Sequence, residues 1–224
     1  MILVVGGAGY IGSHMCRCLH RAGVPFVVFD NLSAGHAEAV EGYDLIQGDL
    51  RSELDVRTAL QRVQPDVVLH FAAHISVGES VREPAKYFEN NTAGVLNLLD
   101  RLREANVLRF LFSSTAAIFG EPQYVPIDED HPKAPTSPYG DSKLMVERIL
   151  DAYDVAYGLK SVCLRYFNAA GADPSAEIGE DHSPEEHLIP VAIRAAQGLR
   201  PALKVFGTDY PTPDGTCVRD YIHV

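Results

Sequence analysis

Short apolar runs without polar alternation recur along this chain, separated by longer helix-periodic stretches, and no other feature narrows the choice of fold so far. The runs fall at 1–5 (MILVV), 26–30 (FVVFD), 44–47 (DLIQ), 67–71 (VVLHF), 108–113 (LRFLFS) and 160–166 (KSVCLRY). A sheet with one wet face would alternate apolar and polar positions. Runs rich in Val, Ile, Leu and Phe throughout are instead the pattern of strands covered on both faces. Helical periodicity is expected near 10–22, 53–63, 84–104, 138–157 and 186–198, with Pro84 and Pro138 at first turns, where a missing N–H costs little. Strand and helix in regular alternation predict an α/β fold, a doubly wound parallel sheet with right-handed crossovers.

After about residue 168 the texture changes. Residues 169–187 (AAGADPSAEIGEDHSPEEH) are small, acidic and loop-like, and Pro- and Gly-rich turns occupy Asp209–Gly215. The sequence thus divides into 1–168 and the start of a smaller substrate domain at 169–224. The last residues, Val218–Val224, read as the inside of an element, so the chain is expected to be a fragment of a longer protein. Net charge is −11, which argues against a nucleic-acid surface, because neutralising phosphates takes basic clusters. No apolar run approaches the ~20 residues that cross a bilayer, and Met1–Gly7 lacks the basic start of a signal peptide. Cys16, Cys18, Cys163 and Cys217 read as small apolar residues of a reducing compartment, which points to a cytoplasmic protein without a membrane partner. The nine His residues show no HExxH or other paired-ligand spacing, so no metal is expected.

Chemistry enters with Gly6, Gly9 and Gly12, spaced G-x-x-G-x-x-G between the first strand and the first helix. Missing Cβ atoms allow a tight turn and let a pyrophosphate approach the amides of a helix N-terminus. The next strand ends in Asp30, placed to accept hydrogen bonds from an adenosine ribose. No Arg or Lys in Asn31–Gly35 could bind a 2′-phosphate, which favours NAD over NADP. Asp49 serves either an adenine edge or the cap of the helix at 53–63, although Ser52 is better placed to cap it. Tyr139 and Lys143 stand four apart on a helix that starts at Pro138, so both share one face. An ammonium, together with a cationic nicotinamide ring, would favour the phenolate and lower the Tyr139 pKa, making it a base for a sugar or alcohol hydroxyl while hydride leaves for the ring. Ser113, Ser114 and Thr115 lie at the carboxyl end of a strand, where open α/β sheets bind ligands.

These motifs occur in a telling order: Gly6–Gly12, Asp30–Ser33, Gly48–Leu50, His70–Ala73, Val77–Ser80, Phe112–Thr115, Ser137–Lys143 and Leu164–Asn168. In that order the chain resembles the extended short-chain dehydrogenases/reductases. Val77–Ser80, Arg165–Asn168, Phe206–Thr212 and Asp214–Val224 narrow the likeness to their nucleotide-sugar 4-epimerases. The resemblance implies an NAD-binding Rossmann fold and interconversion of UDP-galactose and UDP-glucose through transient oxidation at sugar carbon 4. Catalysis is implied for Tyr139, Lys143 and Thr115. Around NAD the resemblance places Gly6, Gly9, Tyr10, Ile11, Gly12, Asp30, Asn31, Ser33, Asp49, Leu50, Phe71, Ala72, Ala73, Asn90, Ser113 and Tyr166, together with Tyr139 and Lys143. Around the UDP-sugar it places Thr115, Tyr139, Asn168, Leu188, Lys204, Phe206 and Arg219. An apolar face on helices 84–104 and 138–157 serves either a homodimer, as the resemblance implies, or packing on the sheet.

The chain departs from the family pattern at three places. His74-Ile75-Ser76-Val77 replaces a stretch in which many members carry Lys, Phe119 stands where Tyr is usual, and His187 replaces an Asn found in some relatives. A 4,6-dehydratase would need an Asp-Glu pair just after Thr115, where this chain has Ala116-Ala117. Epimerases of N-acetylated, uronate or pentose sugars remain open, as does a catalytically silent NAD-binding sensor.

Overall fold

The computed structural model describes residues 1–224 and divides into two compact units, Met1–Tyr166 and Phe167–Val224. In the first unit the six apolar runs are six strands: β1 (Ile2–Val5), β2 (Phe26–Asp30), β3 (Leu45–Gln47), β4 (Val67–His70), β5 (Arg109–Thr115) and β6 (Lys160–Tyr166). All neighbours are parallel, in the order β3-β2-β1-β4-β5-β6. The chain steps one way from β1 to β3 and then returns to β4 on the other side of β1. That reversal opens a crevice at the carboxyl ends of β1 and β4, where such sheets take ligands.

Successive side chains of a strand point to opposite faces, and the packing follows that rule. Leu3, Val5, Val27, Phe29, Val68, Phe110 and Phe112 pack with helices α2 (Glu53–Val63), α5 (Gly94–Glu104) and α6 (Pro138–Tyr157). Val4, Val28 and Leu69 pack on the other face with Cys16 of α1 (Tyr10–Arg21). Both faces of β1, β2 and β4 are therefore dry, which is why these strands carry no polar alternation, whereas the edge strand β6 leaves Val162 57% exposed.

The stretch 84–104, expected as one helix, is several pieces. A helix α3 (Val77–Arg82), not anticipated from the sequence, precedes a single turn α4 (Pro84–Tyr87). A π-helical segment, Phe88–Ala93, then leads into α5. Asn91 lies within this segment and is buried, 1% exposed.

The second unit contains a short parallel pair, β7 (Asn168–Ala170) with β8 (Tyr221–His223), and one helix, α7 (Leu188–Ala196). Neither of its strands was expected, because three residues are too few to show a period. No helix of the protein is long and apolar enough to cross a membrane.

Candidate active site

The glycine turn is built so tightly that side chains are excluded. Gly6 adopts φ +76°, and a Cβ there would lie 2.3 Å from the Ala72 amide nitrogen. A Cβ on Gly12 would lie 2.1 Å from the Gly6 carbonyl oxygen. On the open side, a Cβ on Gly9 would meet nothing closer than 3.5 Å. The turn is thus closed toward the sheet and accessible toward the crevice, at the N-terminus of α1, where amides favour an anion.

Asp30 ends β2 with its carboxylate spanning two loops. Oδ2 accepts from the Ala8 amide at 2.9 Å and Oδ1 from the Leu32 amide at 2.8 Å. Each carboxylate oxygen has more than one lone pair, so acceptor capacity remains for ribose hydroxyls. Gly6, Gly9, Asp30, Asn31, Ser33, Leu50, Phe71, Ala72, Ala73 and Asn90 line one cleft together with His74. A glycine cradle that excludes side chains, opening beside a strand-end carboxylate, fits a dinucleotide.

Other expected contacts are already partnered. The Asp49 carboxylate accepts from Arg51 through Nε and NH2 at 2.9 and 2.7 Å and from Asn31 Nδ2 at 3.0 Å. The Arg51 hydrogen bonds hold it well below the usual carboxylate range. Asp49 does not cap α2; Ser52 does, accepting from the Asp55 amide. Ser33 donates its amide to Asn31 Oδ1, and Asn90 donates to Asn91 Oδ1. Asn91, which sequence reasoning missed, also accepts from the His74 amide and donates to the His74 carbonyl, both at 2.9 Å. Two amides inside a helical stretch were the available signal. Tyr10 and Ile11 begin α1, Tyr10 with its ring edge-on to His14.

The helix that carries the expected pair is capped by Ser137, whose hydroxyl accepts from the Gly140 amide, with Pro138 at the first turn. The Thr115 side chain favours ionisation of Tyr139, and that of Ser113 favours ionisation of Tyr166, each against the effect of burial. Lys143 is 2% exposed; its Nζ donates to the Ser113 carbonyl at 2.8 Å and lies 4.8 Å from the centre of the Phe112 ring. Burial pulls the ammonium from 10.5 down to about 7.

The downward shift expected of Tyr139 belongs to an ammonium acting together with a cationic nicotinamide ring; the protein's own groups act in the other direction. Burial raises its pKa, and the Thr115 side chain offsets only part of that rise. The physical reason is burial of the phenol, while Lys143 Nζ donates to the Ser113 carbonyl.

Beneath the pair lies a network that the sequence reading also missed. Glu147, one turn beyond Lys143, accepts from Ser114 Oγ at 2.6 Å and from Arg165 through Nε and NH2 at 3.0 and 2.9 Å. Lys133 approaches it at 3.6 Å, and the Glu147 side chain is 5% exposed. One carboxylate thus ties α6 to the carboxyl ends of β5 and β6. The i, i+4, i+8 spacing of Tyr139, Lys143 and Glu147 was the signal for it. His70, fully buried between Phe110 and Phe112, is pushed down to about 3 by burial and then by Lys143, so it is neutral at ordinary pH.

In the second unit, Asn168 donates to the carbonyl of Asp220, the residue that follows Arg219 in sequence, at 2.7 Å. Leu188 begins α7, while Lys204 and Phe206 lie in irregular backbone, Phe206 at 91% exposed.

A parallel sheet can serve many ligands, but a closed glycine turn at its reversal point and a Tyr-x-x-x-Lys face against the end of β5 place this site among the short-chain dehydrogenases/reductases. The family model described as "NAD dependent epimerase/dehydratase family" matches residues 2–224, and the chain belongs to that family. Among curated relatives, the UDP-glucose 4-epimerase of Rhizobium meliloti is 55% identical over 100% of this chain and 68% of its own length. That of Halalkalibacterium halodurans is 51% identical, over 100% and 67%. The crystal structure of UDP-glucose 4-epimerase from Brucella ovis in complex with NAD superposes with a TM-score of 0.96 at 50% identity, over 99% of this chain and 68% of that one. The chain thus spans about two thirds of the length of these relatives.

Proposed function

We propose that this protein is an NAD-dependent UDP-glucose 4-epimerase, interconverting UDP-galactose and UDP-glucose. The observation that carries the reading is the Tyr139/Lys143 face of α6, with Lys143 Nζ donating to the Ser113 carbonyl near the carboxyl end of β5. Relatives of that name at 51–55% identity support it.

When bound, NAD supplies reversible hydride acceptance at sugar carbon 4 and a cationic ring that favours a nearby phenolate. The glycine turn holds the pyrophosphate against the amides of α1, and Asp30 accepts from the adenosine ribose. Tyr139, as phenolate, takes the proton of the sugar 4-hydroxyl and later gives it back, so no proton is gained or lost over the cycle. Thr115 stands between phenol and substrate, orienting the 4-oxygen toward the base. Lys143 supports the phenolate and holds the cofactor ribose. Asn168, Leu188, Lys204, Phe206 and Arg219 are proposed to hold the UDP moiety, the Arg fork matching a diphosphate.

A 4,6-dehydratase is disfavoured because Thr115 runs into the apolar turn Ala116–Phe119, with no carboxylate to take a proton at carbon 5. The test is conversion of UDP-galactose to UDP-glucose by the full-length gene product, with no net consumption of NAD. Tyr139→Phe is expected to lower kcat by about 10²–10⁴-fold while dinucleotide stays bound. Retained NAD with no conversion by the unaltered protein would instead identify a sensor.

A further inference from the structure

The geometry points to a divalent transition-metal site, with Zn²⁺ as its chemical type, formed by Glu180, His182, Glu185 and His187 just before α7. It is independent of the proposed sugar chemistry and lies wholly within the second unit. One ligand atom from each of the four side chains falls within 4.8 Å of all the others. His187 Nδ1 lies 2.8 Å from Glu180 Oε1 and 3.0 Å from Glu185 Oε1. His182 Nδ1 lies 3.5 Å from Glu180 Oε1 and 3.8 Å from Glu185 Oε2.

Proximity of acids alone would mean little; what is unusual is how these are buried and what fails to satisfy them. The side chains of Glu180 and Glu185 are 6% and 1% exposed. Glu185 Oε1 accepts from the amide and Nδ1 of His187, at 2.9 and 3.0 Å. That uses the only proton Nδ1 can carry. Glu180 Oε1, although 2.8 Å from the same nitrogen, makes no hydrogen bond, and neither does Glu185 Oε2. The Arg194 guanidinium, on α7, reaches Asp181 at 3.6 Å. Two buried carboxylate oxygens without a donor carry a substantial desolvation cost.

A divalent cation resolves this. Two carboxylates, two neutral imidazoles and M²⁺ sum to zero charge, and an N₂O₂ donor set suits Zn²⁺ rather than Mg²⁺ or Ca²⁺. Bond lengths of about 2.0–2.1 Å put tetrahedral ligand atoms about 3.3 Å apart, so the cluster needs only modest contraction. The spacing Glu-x-His-x-x-Glu-x-His differs from the HExxH pattern sought in the sequence, which is why the His residues there gave no metal signal. Because His187 immediately precedes α7, a bound ion would fix how the chain enters that helix.

The protein, stripped with chelator and titrated with Zn²⁺, is expected to bind one ion per chain. The Co²⁺ form is expected to show the intense visible absorption of tetrahedral coordination. His182→Ala and Glu185→Gln should each weaken binding by at least about 10-fold, a loss that even outer partners of metal ligands produce. The exposed-histidine control His20→Ala should not. Zn²⁺ should also slow proteolysis within 178–190, whereas Mg²⁺ should not. Stoichiometry well below one, an octahedral Co²⁺ spectrum, or unchanged affinity in both variants would overturn the site. These readouts need no epimerase activity, so they stand or fall separately from the proposed reaction.

Discussion

Lys143 concentrates the conflict between stability and chemistry in one side chain. Its ammonium is buried against an aromatic face with a single carbonyl acceptor, and burial brings its pKa from 10.5 to about 7. Below about 7 the folded protein must carry that charge; between 7 and 10.5 only the unfolded chain holds the proton. Stability conferred by this group therefore climbs as pH rises across that window. Lys143→Met, measured as thermal midpoint on dinucleotide-free protein, should raise the midpoint at pH 6 by about 2–4 °C for each kcal/mol recovered. The same variant should flatten the climb between pH 7 and 10 and lose turnover. An unchanged slope would show that the ammonium is not the group responsible. The sequence disclosed that Tyr139 and Lys143 share a face, since four residues make a little over one helical turn. It could not disclose that the lysine turns to the Ser113 carbonyl, because that depends on how deeply β5 buries it.

Among elements, α6 organises the site: its cap, its Tyr–Lys face and its tie to the sheet lie along one helix. Glu147 holds Ser114 and Arg165 at once, and removing one member of a buried charged network leaves the others uncompensated. Glu147→Ala should destabilise by about 3–5 kcal/mol in urea unfolding. Glu147→Gln should cost less, since the amide oxygen still accepts from Ser114. Equal costs for the two would mean the network matters only as packing. The helix itself was legible from Ser137-Pro138 and the apolar spacing that follows. The π-helical segment was not, because one wide turn keeps the apolar periodicity on both sides and so passes for continuous helix. Asn91 lies inside that segment and holds the His74 loop, so a binding-cleft feature was hidden by the same irregularity.

Across the whole molecule, the first unit was nearly transparent. Strands buried on two faces must be apolar throughout, and the glycine turn after β1 marks where the sheet reverses direction. The second unit was opaque for the opposite reason: its strands are three residues each, and their pairing joins Asn168–Ala170 to Tyr221–His223, far apart in sequence. Its histidine–glutamate cluster was equally hidden, since burial rather than spacing distinguishes it. Asp30 connects the legible part to specificity. Asp30→Ala is expected to weaken NAD binding at least about 10-fold if its hydrogen bonds to ribose are charge-assisted, each contributing about 1.5–3 kcal/mol. Isothermal titration would measure this. The same carboxylate also staples the turn after β1 to the loop after β2. Anyone redesigning the pocket for a phosphorylated dinucleotide would therefore be pulling a rivet as well as changing a recognition group. Such a switch would require new bracing for both loops before any gain in cofactor preference could be realised.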